Sequence, residues 1–369
     1  MVGATITRAP YDTGVAPPEV PLIVVGGTHR EAGRLVGQAC AETIRTAFAR
    51  SEIPCGRTRE EQLALADRYR EVTAAAYPWY LEELEGIAEG AGADPRELFA
   101  CMIEEIWYEP YAERVQGRCT DLVAVPPATA EGKVLVAHNN DMPRTYQDQL
   151  VAILWRIEGD PVVLTIGNGL WISVGWSSAG LSFTGNELAP LDERIGIPRE
   201  IQFRAMLRQP TLEDAVREAL RPDRASSYNH VIASRDGRVV DVEGSATDAE
   251  LLAPDERGTL VHTNHYACER MRRYEGDPSY VPHSSARYRR ARELLASATP
   301  GSITVERLRE MLADHEGAPD CLCRHPERWG DTPMGQATAF WCVADVTEMR
   351  ITYGRGNPCD SVAQTYAFA

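Results

Sequence analysis

The sequence has no long apolar run, no excess of positive charge and no regular spacing of its cysteines. No segment reaches the about 18 apolar residues that a membrane-spanning helix needs, so we expect no membrane partner. The formal net charge of −16 argues against binding to nucleic acid or to an anionic membrane surface. The nine cysteines are odd in number and irregularly spaced in a long chain, so we expect reduced thiols rather than a disulfide framework.

A secretory signal and a flexible linker are also missing from the sequence. Residues 1–18 contain no basic start followed by an apolar stretch, so we expect a cytoplasmic protein. No segment rich in Pro, Gly and Ser divides the chain after residue 119. With 369 residues, of which 44% are hydrophobic, the chain can bury a large core, and we expect one globular unit.

The hydrophobic period changes near residue 119. The earlier part has apolar residues three or four apart, which predicts helices, and the later part has mostly short apolar runs typical of strands. Strands grouped with helical pairs, rather than alternating with single helices, indicate an α+β layered fold. The predicted helices cover about 29–48, 59–76, 81–91, 95–108, 198–208, 212–220, 284–296 and 305–312, and the first predicted strands cover 120–125 and 134–137.

Cys119 stands where the helical pattern ends and the strand pattern begins. This position suggests a residue that becomes a new N-terminus when the bond between Arg118 and Cys119 is cut. The freed residue would hold a thiol with a pKa of about 8.5 and an α-amine with a pKa of about 7.7–8.0 that can accept its proton. From the residues alone, a structural cysteine at the start of a strand remains an open alternative.

Several sequence blocks occur in an informative order. They are Gly-Arg-Cys-Thr at 117–120, Gly-Lys-Val-Leu-Val-Ala-His-Asn-Asn-Asp at 132–141, Ser-Ser-Tyr-Asn-His at 226–230, His-Thr-Asn-His-Tyr at 262–266, Asp-His-Glu-Gly at 314–317 and Cys-Leu-Cys-Arg-His at 321–325. Together with a helical segment at 29–47 that contains Gly33 and Gly37, they resemble the acyl-CoA:6-aminopenicillanate (isopenicillin N) acyltransferase family of N-terminal-nucleophile hydrolases. The resemblance covers residues 20–358.

The resemblance implies a fold and a mechanism. The fold would be a four-layer αββα sandwich, made as a precursor that cuts itself before Cys119 into chains 1–118 and 119–369 that stay associated. The Cys119 thiol would attack a small-molecule amide or acyl thioester and form a thioester acyl-enzyme. Asn264 would donate to the oxyanion, and Asp141 would shape self-processing and pocket electrostatics. No cofactor is required, although a coenzyme A thioester could be the acyl donor.

Three further residues are expected to touch the substrate, namely Thr120, Asp121 and Arg324. Asp121 shares a strand face with Cys119, so it could bind an amine, tune the thiol or pair with an arginine. Arg324 could grip a carboxylate through two nitrogens, or it could be a surface residue. Asn264 and Asp141 could instead be ordinary turn formers.

Two residues depart from the family pattern. Arg118 stands where family members commonly have glycine, which adopts the strained geometry of self-cleavage more easily. Cleavage could therefore be slow or could depend on how Arg118 is held, and a non-catalytic binding protein remains an alternative. Asp121 stands where members more often carry Ser or Thr.

The sequence also offers residues for other types of site. A Cys-His hydrolase would use His138, His262 or His265, but such nucleophiles usually open a helix rather than a strand. Zinc binding by the Cys-x-Cys-x-His segment at 321–325 with His315 is disfavoured because no Cys-x2-Cys pair accompanies it, so we expect no metal. The arginines of residues 287–292 alternate with apolar residues at helical spacing, which predicts a solvated helix face.

Overall fold

The computed structural model describes residues 19–50, 53, 56–107, 118–325 and 336–368. Residues 1–18, Gly117 and the predicted helix end at Tyr108 lie outside the described residues. Within the described part of the chain, no helix combines the length and the apolar character needed to cross a membrane.

Helices dominate the chain before Cys119. Thr58 and Glu61 form a capping box that begins the third helix, in which each side chain binds the backbone N–H of the other. Gly92 ends the fourth helix in the left-handed conformation, with φ of +68°. After a first strand, β1 (Leu22–Gly27), the helices are α1 (His29–Ala39), α2 (Ala41–Arg50), α3 (Arg59–Ala76), α4 (Pro78–Ala91) and α5 (Pro95–Cys101).

Helices α1 and α4 cross in close contact because each carries two glycines at the crossing. A methyl group on Gly33 would lie 2.1 Å from the Glu83 backbone oxygen. A methyl group on Gly37 would lie 2.2 Å from the Ile87 backbone oxygen. Both distances are far below van der Waals contact, so this crossing requires glycine.

The rest of the chain forms most of two sheets. The eight-stranded sheet has the order β1-β4-β5-β6-β7-β8-β9-β10, and the six-stranded sheet has the order β11-β2-β3-β12-β13-β14. The strands are β2 (Arg118–Ala124), β3 (Leu135–Pro143), β4 (Val151–Ile157), β5 (Val163–Gly167), β6 (Ile172–Ser177), β7 (Leu181–Asn186), β8 (Asn229–Ser234), β9 (Val239–Gly244), β10 (Ala249–Leu252), β11 (Thr259–His262), β12 (Gln336–Asp345), β13 (Arg350–Arg355) and β14 (Gln364–Ala367). The later helices are α6 (Arg199–Met206), α7 (Leu212–Ala219), α8 (Val281–Ser297) and α9 (Val305–Leu312).

Three hydrophobic cores separate four layers. One core packs α1–α7 on the eight-stranded sheet and includes Val36 and Ile153. A second fills the space between the sheets, and a third packs the six-stranded sheet on α8 and α9 through residues such as Leu295. The expected α+β fold with an αββα sandwich is therefore confirmed.

One local prediction was wrong. We expected the strand that begins near residue 134 to end at Ala137, and a turn that includes Asp141 remained an alternative. Instead β3 continues to Pro143, so His138 and Asp141 are strand residues. They remain extended because both β2 and β12 pair with this segment, and those backbone hydrogen bonds outweigh the turn preference of Asn and Asp.

Candidate active site

Cys119 lies at the start of β2, in the interior of the six-stranded sheet. In the antiparallel pairing of β2 with β3, Cys119 faces Asn140 and Arg118 faces Asp141. Strand alternation places Cys119 on the same face as Val123, which belongs to the core between the two sheets. The expected start of the sheet at this cysteine is confirmed, and its side chain points into the space between the sheets.

The backbone N–H and the thiol of Cys119 have defined partners. Its backbone N–H donates to Oδ1 of Asn264 at 2.9 Å, and Nδ2 of Asn140 lies 3.5 Å from its sulfur. Only 6% of the residue is exposed. Burial raises the pKa of the thiol, and the negative charges of Asp121 and Asp141 raise it further, against the opposing charge of Arg287. In the continuous chain, the thiol is therefore held in its neutral form.

Arg287 of α8 connects the residues around Cys119. Its Nη1 donates to the Cys119 carbonyl oxygen at 2.7 Å and to Oγ1 of Thr120 at 2.8 Å. Its Nη2 donates to Oδ1 of Asn264 at 2.9 Å and to the hydroxyl of Tyr280 at 2.7 Å. The prediction of a solvated arginine face was wrong at this position, because Arg287 is completely buried.

A signal for Arg287 was present in the sequence. The buried residues of α8 are Ser284, Arg287, Ala291 and Leu295, which lie three or four positions apart on one helix face. Arg287 therefore occupies the apolar stripe of its helix, whereas Arg289 is exposed. An arginine on the buried stripe indicates a paired or functional side chain, because an unpaired buried charge is costly.

Asn264 lies beside Cys119, as expected, but its amide has a specific orientation. Its oxygen accepts hydrogen bonds from Cys119 and Arg287. Its Nδ2 donates to the Glu187 carbonyl oxygen at 3.1 Å. In the continuous chain, Asn264 therefore orients the backbone nitrogen of Cys119, and its role as an oxyanion donor stays a prediction.

Asp141 is buried among positive charges. Its Oδ1 accepts a hydrogen bond from Oγ1 of Thr338 at 2.8 Å, and Oδ2 has no hydrogen-bond partner among the described residues. Burial raises the pKa of this carboxyl, while Arg324, Arg287 and Arg118 act in the opposite direction. The structure thus brings Asp141 and Arg324, both expected at the site, into one electrostatic cluster with Arg118.

Arg324 has an unusual environment, and the alternative of a surface arginine is excluded because the residue is completely buried. Its backbone N–H donates to Thr338, and its carbonyl oxygen accepts from Asn357. None of its three guanidinium nitrogens has a hydrogen-bond partner among the described residues.

The guanidinium of Arg118 lies 3.5 Å from the ring centroid of Tyr280, and burial lowers the pKa of Arg118 to about 10.

Thr120 and Asp121 lie on opposite faces of β2. Thr120 faces α8 and accepts the hydrogen bond from Arg287, so it fixes that side chain. Asp121 faces the space between the sheets, where its Oδ1 lies 3.0 Å from Nδ1 of His138. The structure therefore pairs Asp121 with a histidine and places its charge close enough to raise the pKa of the Cys119 thiol.

The histidines considered for a Cys-His pair are engaged elsewhere. Among the described residues, the Cys119 thiol forms its hydrogen bond with Asn140 rather than with a histidine. His138 is hydrogen-bonded to the carboxylate of Asp121, and His262 to that of Glu243. The nearest partner of His265 is the hydroxyl of Ser284.

A second cluster lies where the sequence offered a weak metal motif. Single ligand atoms of His315, Cys323, His325 and Cys359 all lie within 4.8 Å of one another. Cys321 is not among them, because its thiol donates to the Cys323 carbonyl oxygen. The sequence analysis missed Cys359, which is 34 residues from His325 and belongs to no recognisable spacing.

A family model for acyl-coenzyme A:6-aminopenicillanic acid acyl-transferase matches residues 128–358, more than half of the 369-residue chain. The chain belongs to this family. The resemblance found in the sequence blocks is confirmed, and so is the expectation that the protein is an enzyme.

Individual relatives of this family member are distant. It is 25% identical over 340 residues to the acyl-coenzyme A:6-aminopenicillanic-acid-acyltransferase 40 kDa form of Emericella nidulans, across 90% of this chain and 91% of that protein. Two solved structures are also similar to it. One is a variant of the conjugated bile acid hydrolase from Clostridium perfringens, with 14% identity, a TM-score of 0.42 and coverage of 68% of this chain and 97% of that one. The other is the penicillin V acylase from Agrobacterium tumefaciens, with 12% identity, a TM-score of 0.44 and coverage of 68% of this chain and 86% of that one.

Proposed function

We propose that the protein is a self-processing cysteine acyltransferase or amidohydrolase with Cys119 as its nucleophile. One observation carries the proposal: the backbone nitrogen and the thiol of Cys119 are held separately, by Asn264 at 2.9 Å and by Asn140 at 3.5 Å. Cutting the bond to Arg118 would convert that nitrogen into an amine on the same residue. The amine would already have an acceptor that fixes its orientation.

The cutting reaction needs only the chain and water. The Cys119 sulfur attacks the Arg118 carbonyl carbon, the C–N bond breaks, and the nitrogen takes up a proton as a thioester forms. Water then hydrolyses the thioester to a carboxylate at Arg118 and a free thiol. The buried Arg118 side chain stacks on Tyr280, which supports the expectation that cleavage depends on how Arg118 is held.

The same thiol would then serve substrate turnover. Burial and nearby carboxylates raise its pKa, so a base is needed, and an α-amine with a pKa of about 7.7–8.0 suits that role near neutral pH. The resulting thioester passes its acyl group to water or to an amine. Asn264 would donate to the oxyanion through Nδ2, which must first leave the Glu187 carbonyl oxygen.

The unpaired guanidinium of Arg324 supports a small-molecule substrate with a carboxylate. A planar guanidinium binds a carboxylate through two parallel hydrogen bonds, and Arg324 lacks any such partner among the described residues. In this proposal Asp121 tunes the thiol and Thr120 holds Arg287. Coenzyme A enters as a carrier of the acyl group, and no resident cofactor takes part in the chemistry.

The two chains would remain associated after cleavage. Strand β1 precedes the cut and pairs in parallel with β4 beyond it, from Leu22 with Ala152 to Gly27 with Ile157. The first core likewise joins helices before the cut to strands after it. We also propose a cytoplasmic location, which the free state of all described cysteines supports.

The mass of the purified protein under denaturing conditions, with N-terminal sequencing, tests the proposal. We expect chains of residues 1–118 and 119–369, the second beginning Cys-Thr-Asp-Leu. Cys119→Ala should give one chain without acyl turnover, and Cys101→Ala, a buried cysteine of the first core, should be processed normally. A processed and active Cys119→Ala protein would disprove the mechanism, and an uncut wild-type chain would disprove self-processing.

A further inference from the structure

The cluster of His315, Cys323, His325 and Cys359 lies outside the proposed chemistry. Its side chains come from three separate segments: the loop after α9, the segment at 321–325 and the turn after β13. Cys323 and His325 are buried, His315 is half-buried and Cys359 is exposed. Two thiols and two imidazoles are a ligand set typical of structural zinc.

The distances among Cys323, His325 and Cys359 are close to those of a tetrahedral centre. Zn–S bonds of about 2.3 Å and Zn–N bonds of about 2.0–2.1 Å place two sulfurs about 3.8 Å apart and a sulfur and a nitrogen about 3.6 Å apart. The Cys323 and Cys359 sulfurs are 3.7 Å apart. Nε2 of His325 lies 3.3 Å from the Cys323 sulfur and 3.2 Å from the Cys359 sulfur.

The groups around the cluster suit a metal site. Nδ2 of Asn357 lies 3.3 Å from the Cys323 sulfur and also donates to the Arg324 carbonyl oxygen at 2.8 Å. The Cys323 backbone N–H donates to the Asp314 carbonyl oxygen at 3.0 Å. Such contacts orient ligands and stabilise a metal-bound thiolate, and the exposed Cys359 leaves a route for the ion.

We propose that His315, Cys323, His325 and Cys359 bind one Zn²⁺ ion as a closed structural site. Four protein ligands leave no open position for water or substrate, so the ion would have no catalytic role. Its effect is to fix the backbone on both sides of Arg324, which lies between Cys323 and His325. The zinc site thereby positions the buried guanidinium that acts on Asp141.

Metal analysis of the untagged, reduced protein tests this proposal, with Co²⁺ as a second probe. We expect about one zinc ion per chain in the wild type and only traces in Cys359→Ser. The matched control is Cys321→Ser, which alters a neighbouring cysteine outside the ligand set and should keep its zinc. Asn357→Ala should weaken zinc binding about 10- to 100-fold.

Co²⁺ tests the coordination in the wild-type protein itself, where a folding defect of a variant cannot interfere. Co²⁺ added to the wild-type protein after zinc removal should give the intense visible bands of tetrahedral thiolate coordination, and these bands should be missing in Cys359→Ser. Absence of both zinc and these bands in the wild type would overturn the proposal. So would a Cys323–Cys359 disulfide in the freshly purified protein, detected by mass spectrometry without reductant. None of these results depends on self-processing or on acyl transfer.

Discussion

Replacement of Arg287 by methionine tests the hydrogen-bond network around Cys119 most directly. The comparison belongs in a Cys119→Ala background, where every variant stays a single chain and the backbone carbonyl that accepts from Arg287 is retained. Methionine fills similar space without charge, so the loss reports on the hydrogen bonds of the guanidinium. We expect the free energy of unfolding to fall by about 3–5 kcal/mol.

The magnitude follows from the contacts. Arg287 makes four hydrogen bonds, to Cys119, Thr120, Asn264 and Tyr280, and hydrogen bonds to a charged group contribute about 1.5–3 kcal/mol each. Their gross sum of about 6–12 kcal/mol is reduced by the several kcal/mol that burial of the cation costs. The free energy of unfolding of Arg287→Lys should lie between the values with arginine and with methionine at this position, because an ammonium keeps the charge but not the planar fork.

Urea unfolding curves give the measurement. Arg289→Met serves as the matched control, since Arg289 is exposed on the same helix and its replacement should change stability by less than about 0.5 kcal/mol. If the free energies of unfolding of Arg287→Met and Arg289→Met differ by less than about 0.5 kcal/mol, the four hydrogen bonds of Arg287 do not stabilise the protein and the reasoning fails.

Three further predictions concern catalysis, pH dependence and packing. Asn264→Ala should lower kcat of the processed enzyme about 10²- to 10³-fold if its amide stabilises the oxyanion; an unchanged kcat would exclude that role. Burial disfavours charge on His262, but Asp241 and Glu243 raise its pKa to about 9, above its ordinary value of about 6.5. The contribution of the charged His262 to stability is therefore complete below about pH 6.5 and is lost as pH rises through about 9. The urea midpoint should fall over that range, and it should fall less in Glu243→Gln. Equal falls in the two proteins would refute the assignment. Gly37→Ala should destabilise the protein by at least about 1–3 kcal/mol in the same assay, because its methyl group would lie 2.2 Å from a backbone oxygen of α4; a neutral effect would show that the helices can separate without cost.

The layered fold was predictable from the sequence because it depends on local periodicity. Apolar residues three or four apart marked α1, α3 and α4, and the change of period marked Cys119 as the start of a strand. Strand pairing is different, since it joins distant segments. The contact of β1 with β4 across more than 120 residues leaves no local pattern, and the prolonged β3 depends on its two neighbours.

The site was only partly predictable for a related reason. Cys119, Asn264 and Asp141 stand in blocks whose order is recognisable, and the structure brings them close together. Arg287 was missed because its charge was given more weight than its place on the buried stripe of α8. Cys359 was missed because a ligand set assembled from three segments needs the fold before its spacing has meaning.

The local charge of the site opposes that of the whole protein. The chain carries a net charge of −16, yet Arg118, Arg287 and Arg324 all act on the single carboxylate of Asp141. At physiological salt, exposed charges are screened within about 8 Å, whereas buried charges are screened much less. The acidic surface therefore contributes little inside the site, and we expect the guanidinium of Arg324, which has no hydrogen-bond partner among the described residues, to dominate the interaction with an anionic substrate. A rigid segment around Arg324 matters for this reason, because a guanidinium recognises a carboxylate only when its planar fork is correctly oriented. A structural zinc site on both sides of that residue would supply this orientation before any substrate binds.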